Sequence, residues 1–66
     1  MKIINSFNIT GRGLVFEVLI NKGELIKIDD DFVYEDKTYK INGLEINSIN
    51  DLHLFLRVKE SENASR

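Results

Sequence analysis

The sequence predicts an all-β fold, a small closed or partly open barrel of about six strands, which is close to the usual size of a sheet. The first observation behind this prediction is an apolar run over residues 14–20, in which only Glu17 is polar. Glycines lie on both sides of the run, at Gly11 and Gly13 before it and at Gly23 after it. Because glycine accepts turn conformations that other residues avoid, the run is predicted as a strand between two turns.

The second observation is that apolar and polar residues alternate through most of the chain, as they do in strands with one solvated face. Further strands are therefore predicted at residues 3–9, 24–28, 32–34, 38–47 and 52–58. Three adjacent carboxylates, Asp29 to Asp31, repel one another and are predicted as a solvated turn rather than a cation site. Gly43 interrupts its strand and predicts a bulge or a close backbone approach.

Residues 48–58 fit two interpretations. Alternating apolar residues in the second half of this stretch indicate a strand. Ser48 followed by Asp51 resembles a capping box, which is typical of the start of a helix. We expect a short helical turn near residues 48–51 that leads into the last strand.

The predicted core contains the apolar side chains that share one face of these strands, namely Phe7, Ile9, Leu14, Phe16, Val18, Ile20, Ile41, Leu54 and Leu56. Residues 1–58 are predicted to form a single β-barrel domain. Residues 59–66 are polar and lack large apolar side chains, so we expect a disordered tail.

Composition limits the classes of function. The chain of 66 residues has no cysteine and one histidine, which excludes a thiolate or imidazole metal cluster. His53 has no serine or cysteine partner in a recognisable motif, so we expect no enzyme activity and no cofactor. A signal-peptide core and an apolar run of about 20 residues are both absent from the sequence, and we expect a cytoplasmic protein.

A family resemblance follows from the spacing of several motifs. Phe7-x-Ile9-x-Gly11-Arg12-Gly13, followed by Val15, Ile20 and Gly23, resembles domain 2 of the translation GTPases, the β-barrel after the nucleotide-binding domain in elongation factor Tu. Weaker matches are Ile26-Lys27-Ile28, Tyr39-Lys40-Ile41-Asn42-Gly43-Leu44-Glu45-Ile46 and Leu54-Phe55-Leu56-Arg57.

The resemblance covers residues 7–58 and implies a Greek-key-like barrel. In that family the barrel contacts the GTPase domain, the ribosome and, in some members, the aminoacyl end of tRNA. The present sequence has no phosphate-binding glycine loop ending in Lys-Ser or Lys-Thr, so the resemblance implies no GTP chemistry.

Two functions remain as hypotheses. The first is a non-catalytic module that binds a protein or forms a weak homodimer through an apolar outer strand, with Leu19, Tyr34 and Phe55 on the outer face and Arg12 as a polar contact. The second is an accessory RNA- or ribosome-binding domain. A net charge of -2 disfavours RNA, and the available phosphate contacts are Arg12, Lys22, Lys27, Lys37, Lys40 and Arg57.

Overall fold

The computed structural model describes residues 1–11 and 13–61, and these form one antiparallel sheet without a helix. The strands are β1 (Lys2–Ile9), β2 (Gly13–Leu19), β3 (Asp31–Tyr34), β4 (Lys37–Ile46) and β5 (His53–Glu60). Their order across the sheet is β1-β2-β5-β4-β3. The sheet curls into a half-barrel, in which β1 and β3 are the two edges and do not pair with each other among the described residues. The all-β prediction is confirmed, with five strands in place of about six.

Strand β2, which lies between β1 and β5, has two faces in different environments. Phe16 and Val18 point to one face, called here the inner face, and are almost fully buried. Val15 points to the other face, called here the outer face, because successive side chains of a strand alternate. The inner face holds the hydrophobic core, which consists of Phe16, Val18, Tyr39, Ile41, Leu54, Leu56 and Val58.

Aromatic rings pack around Phe16 at the centre of the core. The ring of Phe16 meets Phe32, Tyr34 and Tyr39 edge-on, with centroid separations of 5.5, 5.2 and 5.1 Å. Edge-to-face packing brings the positive ring edge to the negative ring face, and it stabilises each pair by about 0.5–1.5 kcal/mol beyond area burial. These contacts pack side chains of β3 and β4 against β2 on the inner face, while the β4–β5 ladder joins the hairpin to the sheet.

The core prediction is partly wrong, and the error lies in the edge strand β1. The predicted residues Phe16, Val18, Ile41, Leu54 and Leu56 are buried, and Leu14 and Ile20 are half-buried. Phe7 and Ile9 are instead 38% and 40% exposed. The cause is the register of β1, which pairs Phe7 with Val15 rather than with Phe16. Side chains of paired residues share a face, so Phe7 and Ile9 lie on the outer face.

Residues 24–28 do not form the predicted strand. The turn predicted at residues 21–23 is present, and Gly23 has a φ of 89° there. Beyond it the chain makes a second turn, in which the Lys27 N–H donates to Oδ2 of Asp30 at 2.9 Å. Asp29 and Asp30 then exchange backbone hydrogen bonds with Ile41. The Asp30 side chain thus completes a turn where alternation alone favours a strand.

The helical turn predicted at residues 48–51 is also absent. Oδ1 of Asn47 accepts hydrogen bonds from the N–H groups of Ile49 and Asn50, at 2.7 and 3.2 Å. Oδ1 of Asn50 accepts in turn from the N–H of Leu52. Asparagine side chains that bind the backbone two residues ahead hold a loop in place of a helix.

Strands β4 and β5 contain the predicted bulge at Gly43, and β5 is longer than predicted. The β4–β5 register shifts between Ile41 and Gly43, which is the bulge predicted there. β5 continues through Glu60, two residues past the predicted end of the domain, and Ser61 N–H donates to Thr38. Arg12 and residues 62–66 of the predicted tail lie outside the described residues.

Candidate interaction surface

The outer face contains a groove of about 270 Å³ that is lined mainly by apolar side chains. It is called here the outer groove, and its lining residues are Phe7, Ile9, Val15, Glu45, Phe55 and Arg57. The strand register explains the arrangement, because Phe7, Val15 and Arg57 face one another across three adjacent strands. Val15 is 5% exposed although it lies on the face opposite the core.

Arg57 covers the bulge at one side of the outer groove. Its guanidinium occupies the space where a Cβ of residue 43 would lie, and this close approach requires Gly43. Arg57 and Gly43 are opposite each other in the β4–β5 register. The aliphatic part of the arginine can cover apolar surface while the charged end remains available to a ligand. The groove therefore combines an apolar floor with one cation, Arg57, and one anion, Glu45.

A polar cluster lies next to the outer groove on the same face. Nε2 of His53 is 2.6 Å from Oε2 of Glu17, and Nδ1 of His53 is 3.2 Å from Nδ2 of Asn47. The His53 and Glu17 side chains are both 19% exposed. The ring of His53 also packs on Phe55, with 5.0 Å between centroids.

The hydrogen bonds of Asn47 fix the tautomer of His53. Oδ1 of Asn47 is occupied by two backbone N–H donors, so its Nδ2 must face the histidine as a donor. Nδ1 of His53 is then the acceptor, and the ring proton is on Nε2, from which it is donated to Glu17. Both ring nitrogens thus hold the loop after β4 and the side chain of Glu17.

Cations gather at the other end of the outer face. Lys40 and Lys59 are directly opposite each other in the β4–β5 register. Lys59 is two residues from Arg57 on β5, which places both on the outer face. Nζ of Lys40 lies 3.2 Å from Oδ1 of Asp31, which offsets part of this positive charge. With Asn42, Glu60 and Ser61, the two lysines line a second cavity of about 630 Å³, so one carboxylate also borders it.

Among the described residues that were predicted for interaction, Leu19 and Phe55 lie on the outer face, and Tyr34 does not. Leu19 is exposed and Phe55 half-buried, and the register puts both on the outer face. Tyr34 is half-buried on the inner face against Phe16, because the β3–β4 register pairs Phe32 with Tyr39 and so turns Tyr34 inward. The predicted outer position of Tyr34 is therefore corrected. Arg12 is outside the described residues.

Phe7 and Ile9 belong to the outer groove although the sequence assigned them to the core. Alternation in β1 shows that these two side chains share a face, but it does not say which face. The sequence did contain a sign of this, because Val15 and Leu19 are apolar and lie on the face of β2 opposite the predicted core. Apolar side chains there need apolar neighbours on the same face. Pairing β1 with that side supplies them.

No helix in the part of the chain that the structure describes could cross a membrane. Within residues 1–11 and 13–61, no three histidine, aspartate or glutamate side chains are grouped so that they could hold a metal ion. No protein-family model, curated protein or solved structure matches this chain.

Proposed function

We propose that this domain is a non-catalytic protein-interaction module and that a partner protein binds in the outer groove. The observation that carries the proposal is the burial of Val15 on the face opposite the core, in a groove that Phe7, Phe55 and Arg57 also line. A small monomer gains little from a second apolar cluster whose aromatic walls stay in water. A partner that covers Phe7 and Phe55 removes this surface from water, at about 25 cal/mol for each Å² of apolar area.

The charged rim supports recognition of a protein. Arg57 and Glu45 line the same groove with opposite charges, so a bound segment with one acid and one base can be oriented by both. Aromatic residues and arginine are the side chains that most often dominate the binding energy of protein interfaces. The outer groove offers Phe7, Phe55 and Arg57 within one concave surface.

The state of His53 supports a role without catalysis. Both ring nitrogens have hydrogen-bond partners within the domain, Asn47 and Glu17. Neither nitrogen is free to accept a proton from a substrate, and a general base needs a substrate within hydrogen-bond reach.

A relation to domain 2 of the translation GTPases is part of the proposal. β3, β4 and β5 are consecutive neighbours, and β2 returns beside β5, an order that supports a Greek-key connection. Because a barrel of this kind serves several functions, the relation by itself assigns none of them.

RNA is a second candidate ligand because Lys40, Lys59 and Arg57 lie on the same face. Like charges placed directly opposite each other destabilise a sheet, so the Lys40–Lys59 pair favours an anionic ligand. Phe55 and Phe7 are the aromatic residues on which bases could stack.

The experiment that tests the proposal compares two lysine substitutions on the outer face. Phe55→Lys places a charge in the outer groove, and Val33→Lys places the same charge at an exposed position, 70% accessible, on β3. The wild type and each variant are used as bait in extracts of the source cells. A protein captured by the wild type is then purified and titrated against all three forms of the domain. We expect F55K to weaken binding by about tenfold or more, as for loss of an aromatic anchor, and V33K to leave it unchanged.

Salt distinguishes the two candidates. Protein docking in the outer groove responds little to ionic strength, whereas RNA binding falls steeply between about 50 and 200 mM salt. Binding that F55K leaves intact, or that only RNA supports, would overturn the protein-interaction proposal.

A further inference from the structure

The two edges of the sheet differ in how well they are protected against pairing with another chain. β3, at one edge, is only four residues long and begins with the charged Asp31. β1, at the other edge, is eight residues long and pairs only with β2 in the described part of the chain. Free strand edges are templates for pairing with another chain, and proteins block them with proline, charge, bulges or short strands.

The regular part of β1 lacks these protections. From Ile3 to Ile9 the strand has no charged residue and no proline. Its bulge lies between Ile3 and Asn5, at the beginning of the strand. Asn5–Ile9 therefore runs as a regular ladder against β2, and Phe7 is the midpoint of that ladder.

We propose that β1 pairs with β1 of a second copy of this chain, antiparallel and centred on Phe7, so that the two sheets become one. The inference goes beyond the proposed function, because it concerns the edge of the sheet and holds whether or not another protein fills the outer groove.

Two-fold symmetry makes this register self-complementary. Phe7 lies opposite Phe7 of the second copy, and Ser6 lies opposite Asn8 of the second copy. Paired residues share a face, so the exposed side chains of Phe7 and Ile9 stay on the outer face and bring the two grooves side by side. Serine and asparagine meet on the inner face and can hydrogen-bond across the pair. In a symmetric pair, a charged residue near the two-fold axis would lie close to the same charge on the second copy. Residues 3–9 include no charged residue, so no such repulsion arises.

The short ladder implies a weak dimer. Five residues on each side form an interface below the size of standard stable complexes, so dimers should appear only as concentration rises from micromolar to millimolar. Sedimentation equilibrium over that range should show the mass increase from 7.6 kDa towards twice that value.

Charge variants test the register. Ser6→Lys combined with Asn8→Lys places lysine opposite lysine twice in the dimer, and Ser6→Glu combined with Asn8→Glu places glutamate opposite glutamate twice. Both positions are exposed, so the fold should tolerate them, and circular dichroism verifies this. Each double variant alone should remain at 7.6 kDa, while an equimolar mixture should form a heterodimer at least tenfold tighter than either homodimer. Val33→Lys, on the other edge strand, should dimerise like the wild type.

Three results would overturn the proposal. One is a single wild-type mass of 7.6 kDa up to millimolar concentration. The second is a wild-type dimer that both charge variants retain. The third is a mixture of the two variants that remains monomeric although each is folded. None of these depends on binding in the outer groove, so they are distinct from failure of the protein-interaction proposal.

Discussion

Nε2 of His53 lies 2.6 Å from Oε2 of Glu17, and this contact joins two residues 36 positions apart in the chain. It ties β2 to the first residue of the neighbouring strand β5. Through Nδ1, the same imidazole ring also reaches Asn47, whose side chain shapes the loop before β5. One side chain therefore connects the position of that loop to β2.

Removing this ring should destabilise the domain. His53→Ala leaves the half-buried carboxylate of Glu17 without its donor and the loop without its contact, and we expect a loss of about 1–3 kcal/mol in unfolding free energy. Glu17→Gln keeps an acceptor for the Nε2 proton and should cost less than about 1 kcal/mol. Urea denaturation measures both. Equal losses of unfolding free energy in the two variants would show that the hydrogen bond from Nε2 is not the source of the stabilisation.

Phe16 should be the most sensitive core position. Its side chain is 2% exposed and meets three aromatic rings, so Phe16→Ala leaves a cavity that the stiff sheet cannot close. We expect a loss of about 3–5 kcal/mol, enough to unfold much of a domain this small. Thermal unfolding followed by circular dichroism measures it, with Val33→Ala as the exposed control. An F16A variant that melts with the wild type would refute the packing described for the inner face.

The turn between β3 and β4 contains strain that can be relieved. Glu35 and Asp36 have positive φ angles of 50° and 69°, the conformation of a two-residue hairpin turn that prefers Asn-Gly. Residues other than glycine pay about 1–2 kcal/mol in this region. The double substitution Glu35→Asn with Asp36→Gly should therefore raise the unfolding free energy by about 1 kcal/mol in urea denaturation. A decrease would mean that the turn has a different geometry.

Glu24 should make stability depend on acid pH. The pKa of Glu24 is lowered, first by the hydrogen bond from the Asn21 N–H to Oε1 and then by the bond from the Met1 amino group to Oε2. Since the folded pKa is below the ordinary value of 4.5, its stabilisation is present above that value and is lost as pH falls through the lower folded pKa. Unfolding free energies between about pH 6 and pH 3 should decline less in Glu24→Gln than in the wild type. Parallel pH profiles would contradict the contact.

The local sequence pattern was enough to predict β2 and its inner face. In β2, Phe16 and Val18 follow strict alternation between glycine turns, and burial confirms them. The outer groove could not be predicted in the same way, because the residues that line it depend on the register in which neighbouring strands pair. Phe7 becomes a neighbour of Val15 only when β1 pairs with β2, and shifting that pairing by one residue would exchange the two faces.

Side chains that bind the backbone account for the elements that sequence analysis placed wrongly. Ser48 and Asp51 have the spacing of a capping box, but Asn47 takes the N–H groups of the loop first. Asp30 does the same for Lys27 and replaces a predicted strand by a turn. Such side-chain hydrogen bonds replace the backbone bonds of a helix or strand, and the pattern of apolar residues gives no sign of them.

The most direct test of the outer groove as the binding surface is an NMR titration of the ¹⁵N-labelled domain with the partner captured by the wild type and lost by F55K. The proposal predicts that the largest amide shift changes occur around Phe7, Val15, Phe55 and Arg57, with little change in Phe32–Tyr34 on β3. Shift changes concentrated in β3, with the groove residues unmoved, would contradict it.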